Sequence, residues 1–170
     1  SSDVCSSDLD IGASTQNASD SFRYRGYISN LRIIKGTAVY TAAFTPPTSP
    51  LTAITNTSLL TCQSNRFIDN SSNAFTITVN GDTSVQRFSP FSPTAPYAAG
   101  TDGGSGYFDG NGDYLSTNYT INWSTYGSYT LEFWVYHTTM APTNQMYFAG
   151  GTGGTGNTIF YNYANEIGRA

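Results

Sequence analysis

Apolar and polar residues alternate along this chain with a period of two. Phe75, Ile77 and Val79 alternate with Thr76, Thr78 and Asn80, and Tyr129, Leu131, Phe133 and Val135 alternate with Thr130, Glu132, Trp134 and Tyr136. Successive side chains of a strand point to opposite faces, so this pattern reads as half-buried β-strand. Shorter stretches at Tyr27–Ile34, Ser58–Gln63, Ser84–Phe88, Gly106–Asp109, Tyr114–Thr117, Gln145–Ala149 and Thr158–Tyr163 are rich in β-branched and aromatic residues. Each is bounded by Gly, Asn, Pro or Ser, the usual strand punctuation. Apolar residues nowhere recur at the helical period, so the expectation is an all-β, antiparallel sandwich or barrel. Asn80-Gly81 and Asn111-Gly112 offer the φ > 0 residues that tight hairpins need. The three prolines of the segment Phe44 to Pro50 cannot donate ladder hydrogen bonds, which predicts an edge crossing or an inter-domain linker there. The stretch Ser89 to Gly104 is long for a loop and is expected to be functional or mobile.

Composition narrows the class. A chain of 170 residues holds one domain or parts of two. Charged residues make up 11% and aromatics 15%. That excludes a coiled coil, which needs abundant Glu and Lys, and disfavours disorder, which is poor in aromatics. No apolar run approaches the ~20 residues of a membrane-spanning helix. A net charge of −4 argues against electrostatically driven nucleic-acid binding. Residues 1–9, Ser-Ser-Asp-Val-Cys-Ser-Ser-Asp-Leu, resemble a translated sequencing adapter and are set apart from the fold. They are expected to make no core contact. Without them Cys62 is the only cysteine, which rules out a disulfide framework and, given its alternation with Leu60, predicts a small buried hydrophobe.

Four short motifs carry a family resemblance. Gly26-Tyr27-Ile28-Ser29-Asn30-Leu31-Arg32-Ile33-Ile34-Lys35-Gly36 resembles the closing strand of laminin-G-like, concanavalin A-like lectin/glucanase modules. Phe67-Ile68-Asp69-Asn70-Ser71-Ser72-Asn73 resembles the turn near the start of such a module, and residues 107–115 and 129–136 resemble its next two strands. The resemblance implies an antiparallel jelly-roll β-sandwich, incomplete or circularly permuted in this chain. A closing strand ahead of an opening turn implies tandem modules: residues 10–45 ending the first, 46–54 linking, and 55–170 beginning the second. If one module's end closes the next module's beginning, Tyr27–Ile34 will share a sheet with strands beyond residue 57, with Leu31 and Ile33 buried against Phe133 and Val135. The implied role is non-catalytic recognition of a glycan or cell-surface receptor, beside neighbouring laminin-G-like modules, in a phage tail or an extracellular surface protein. The alternative is a structural spacer with no ligand.

A glycoside hydrolase is the third and weakest reading. Retaining hydrolysis needs two carboxyl groups ~5–5.5 Å apart, whereas Glu132 has no acidic neighbour on its strand and Glu166 lies in another segment. The chain is therefore not expected to be an enzyme. His137, the single histidine, reads as a polar strand-end residue. For ligand contact, Glu132, Trp134 and Tyr136 share one strand face. For metal, Asp109, Asn111 and Asp113 present hard oxygens on alternate residues, the type Ca²⁺ prefers. Asp69 and Asn73 would join them if the sandwich brought the two turns together. The competing reading is a plain turn whose aspartates accept backbone amides.

Overall fold

A computed structural model describes residues 9–13, 23–91, 103–119, 128–139, 145–150 and 158–162. Among these residues the fold is all-β, with ten strands: β1 (Leu9–Ile11), β2 (Gly26–Lys35), β3 (Thr57–Thr61), β4 (Ile77–Asn80), β5 (Ser84–Gln86), β6 (Ser105–Phe108), β7 (Tyr114–Thr117), β8 (Tyr129–His137), β9 (Gln145–Gly150) and β10 (Thr158–Asn162). Every strand pairing is antiparallel. One sheet runs β10-β9-β1-β7-β4; the other is built on β2, which pairs with β8 along one edge and with β6 and then β3 along the other, β5 lying beyond β6.

The two sheets pack face to face. Leu9, Ile11, Leu115 and Phe148 from the first sheet meet Ile28, Leu31, Ile33, Leu59 and Phe108 from the second in one buried cluster. The strand expected to join elements beyond residue 57 does so, as the centre of its sheet, and Leu31 and Ile33 are both buried. Phe133 packs against the core as expected, but Val135 is 38% exposed. It faces Ile28 across the ladder, yet β8 has no second partner strand among the described residues.

Leu9 corrects the boundary placed after residue 9. Its side chain is fully buried, and its backbone is opposite Thr117 in the middle of the first sheet. Asn80-Gly81 and Asn111-Gly112 are not hairpin turns. β4 and β5 belong to different sheets, as do β6 and β7, so each Asn-Gly pair turns a corner between the layers. A type I′ hairpin needs φ > 0 at both central residues; here only the glycines have it, at 69° and 86°.

A bulge sets the face of β2. Register with β8 shifts between Ser29 and Arg32, and Asn30 takes φ 56°. Ile28 before the bulge and Leu31 and Ile33 after it therefore all reach the core, although strict alternation would put Ile28 opposite to them. The extra residue is held by its side chain: Leu51 N donates to Asn30 Oδ1 (2.7 Å), and Asn30 Nδ2 donates to Ser29 Oγ (2.8 Å). Ser29 Oγ in turn donates to the Gly104 carbonyl (2.6 Å).

Residues 36–56, including the prolines, connect β2 to its neighbour β3 across the outer face of the same sheet. Val39 N donates to Thr130 Oγ1 (2.9 Å), and Tyr40 stacks on Phe44 at 3.9 Å. Cys62 is buried in the core, as expected, and burial pushes its thiol up to about 12.

Candidate functional site

The face of β8 that carries the predicted contact residues points away from the core, because Leu131 and Phe133 pack inward. The three residues meet different surroundings. Glu132 is engaged: Arg32 Nε donates to its Oε1 (2.6 Å), Arg32 Nη2 makes an ion pair with the same oxygen, and Tyr40 OH donates to Oε2 (2.6 Å). The Arg32 and Glu132 side chains are only 6% and 12% exposed. Arg32 Nη1 also donates to the Thr52 carbonyl (2.7 Å), which ties the pair to the covering segment. Desolvation and the bond to Glu132 both raise the Tyr40 hydroxyl above its ordinary range. Trp134 meets Phe91 edge-on at 5.1 Å.

Tyr136 is open, at 54% exposure. Directly across the ladder lies Tyr27 of β2, and beyond it Tyr107 of β6. The Tyr27 ring lies 5.0 Å from Tyr107 and 6.1 Å from Tyr136. Phe88, itself exposed, sits 4.9 Å from Tyr27 and 5.0 Å from Tyr136. Four rings from three neighbouring strands and the segment after β5 thus form one outward aromatic surface. The sequence signal for Tyr27 and Tyr107 was their alternation with core residues Ile28 and Phe108; without strand order nothing placed them beside Tyr136.

The acidic candidates separate into two groups. Asp69 is spent on its own turn. Its Oδ1 accepts Leu60 N (3.0 Å) and Ser71 N (2.8 Å), and its Oδ2 accepts Ser71 Oγ (2.8 Å) and Phe75 N (2.9 Å). Asn73 Nδ2 donates to the Ser58 carbonyl (2.9 Å), so this turn is fastened to β3.

Asp109 and Asp113 are joined instead by Asp82, and carboxylate oxygens of all three lie within 4.8 Å of one another. Asp113 is fully buried and links the two inter-sheet corners: its Oδ1 accepts Asp82 N (2.8 Å) and its Oδ2 accepts Asp109 N (2.7 Å). Asp109 Oδ1 accepts Asn111 N (2.5 Å). Asn111 is exposed. Burial raises the Asp113 carboxyl above the usual range; the amides it accepts from Asp109 and Asp82 pull it back in part, while the Asp82 and Asp109 carboxyl groups add to the rise. A Cβ on Gly81 would run into the Asp113 carboxylate, so glycine is what lets the corners approach. Sequence reasoning missed Asp82, but a signal was present. Asn80-Gly81-Asp82 repeats the tripeptide Asn111-Gly112-Asp113.

Three all-oxygen carboxylates fit a hard cation and could hold Ca²⁺, whose usual 6–8 oxygens would be completed by carbonyls or water. His137, at the end of β8, lies 2.7 Å from Tyr147 OH through Nε2, and burial lowers its pKa. Glu166 and the residues from 92 to 102, part of the long loop, lie outside the described residues. Neither the sequence comparisons, with models of known families and with curated proteins, nor the comparison with solved structures finds a match for this chain.

Proposed function

We propose that this chain is a non-catalytic recognition module of the laminin-G-like, jelly-roll type, binding a carbohydrate or a glycosylated surface receptor, as a part of a multi-module phage-tail or extracellular surface protein. The observation that carries this reading is the outward surface of Tyr27, Phe88, Tyr107 and Tyr136. Aromatic faces offer flat, rigid contact area with polar edges, suited to the C–H faces and hydroxyls of a sugar ring. A non-catalytic role is supported by the use of both Glu132 oxygens in binding Arg32 and Tyr40. The same observation favours the second reading, a spacer, for that half of the face.

We further propose Ca²⁺ as the ion for Asp82, Asp109 and Asp113, with a structural role in fixing the two corners. A glycan array probed with the intact chain and with Tyr136→Ala tests recognition. Defined glycan hits lost in the variant support it, hits kept in full by the variant place that binding away from this surface, and no glycan bound by the intact chain leaves the spacer reading.

A further inference from the structure

At the far end of β2 from the aromatic surface, the edges of the two sheets part around a cleft of about 820 Å³. Tyr27 and Lys35 are separated by eight steps of strand, roughly 25 Å at ~3.3 Å per residue. One sugar ring cannot touch both places. Phe75 and Tyr119 form one wall of the cleft, stacked at 4.8 Å with 28° between ring planes. Asn56 and Asn73 stand on its rim with the hydroxyls of Thr55 and Ser72.

Both amides are oriented by structural bonds. Asn56 Nδ2 donates to Thr37 Oγ1 (2.9 Å), and Asn73 Nδ2 donates to the Ser58 carbonyl (2.9 Å). With one N–H of each amide so used and its plane fixed, each amide keeps its Oδ1 as an acceptor and a second N–H as a donor, the pair of roles a ligand hydroxyl can meet. Asn56 is also held at φ 67°, a left-handed turn that fixes where its side chain starts. Among the described lining residues Lys35 alone is charged, and it already has an interaction of its own. The rest of the described lining is neutral: amides, hydroxyls, rings and aliphatic groups. The cleft's volume lies within the ~300–1,000 Å³ of ligand pockets.

From this set of stacked rings, fixed amide acceptors and hydroxyls, we infer a second saccharide site, for a neutral pyranose oligosaccharide. The inference rests on the glycan-recognition reading above but uses none of its residues.

The test is an NMR titration of the intact chain with maltotetraose, cellotetraose, xylotetraose and chitotetraose, with hyaluronan tetrasaccharide as the anionic comparison. Two variants probe the cleft. Asn56→Gly removes the amide while suiting the left-handed backbone, and Ser72→Trp fills the opening from an exposed turn. The expected result is that at least one neutral oligosaccharide shifts resonances of Asn56, Asn73 and Tyr119. Both variants should weaken that response at least tenfold, while Tyr136→Ala leaves it intact. Shifts confined to Tyr27, Phe88, Tyr107 and Tyr136 would overturn the cleft and leave the aromatic surface standing. A response to the anionic sugar alone would overturn the neutral class. No shift at either place would overturn both readings.

Discussion

The outer face of the β2–β8 pair is finished in two different ways. Toward the Lys35 end it is covered: the segment 36–56 lies over it, leaving a cleft of about 280 Å³ between Tyr40 and Phe44 of the cover and Glu132 and Trp134 of β8, and the polar groups beneath, Arg32, Glu132, Ser29 and Asn30, are bonded to one another or to that cover. Toward the Gly26 end the same face has Tyr27, Tyr107, Tyr136 and Phe88 grouped together, with Tyr136 and Phe88 largely open to solvent. Bonded buried polar groups are costly to disturb, whereas exposed aromatics contribute little to stability and much to contact. One strand pair therefore separates a half that is bonded under a cover from a half that leaves aromatic rings at the surface.

The largest effect should come from breaking the covered half. Glu132→Ala leaves Arg32 buried without its counter-charge, a change that costs ~3–5 kcal/mol in buried pairs. Thermal unfolding should move down by about 10 °C, at ~2–4 °C per kcal/mol for a chain of this size. A drop of only a degree or two would mean the cover is loosely held. Next is Asn30→Ala, which strips the amide from a left-handed bulge residue and leaves Leu51 N without its acceptor. The expected loss is ~1–3 kcal/mol, read by chemical denaturation. Asn30→Gly should lose less, because glycine suits the backbone.

Asp113 gives a smaller effect, with a definite sign. Its folded-state pKa is raised, so the folded chain binds the proton more tightly than the unfolded chain does. The stabilising contribution of the protonated carboxyl is fully present below the unfolded value near 3.8 and is lost as pH rises through the higher folded value. Millimolar Ca²⁺ at neutral pH should offset that loss by binding the folded state. The melting temperature should rise with calcium in the intact chain and not in the variant combining Asp109→Asn with Asp113→Asn. A calcium-independent melting temperature would leave the corner as a set of hydrogen bonds alone. The smallest change in stability belongs to the open half: Tyr136→Ala should stay within ~0.5 kcal/mol of the parent by denaturant titration.

Strand positions were legible where apolar and polar residues alternate, at β4 and β8, and where β-branched and aromatic runs are bounded by turn residues, as at the buried β2 and β3. β2 through β10 all fall on predicted stretches. β1 was not legible. Three residues, Leu9-Asp10-Ile11, are too few to show a period, and only their partners β7 and β9 make them a strand. The Asn-Gly pairs were read as hairpins because the backbone demand on glycine is local, while the sheet that receives the next strand is a tertiary matter. The candidate site was half legible for the same reason. Tyr136 and the aspartates at 109 and 113 lie on local motifs, but their companions come from distant segments. Asp82 is joined through the corner hydrogen bond to Asp113, and Tyr27 and Tyr107 through strand order.

The contrast between the covered and open halves of one face is tested most directly by following ring resonances of the intact chain by NMR, during titration with a glycan selected on the array. The account predicts shifts at Tyr27, Phe88, Tyr107 and Tyr136, with Tyr40 and Phe44 over the covered half unmoved. Shifts at Tyr40 and Phe44, with the four open rings unchanged, would contradict it.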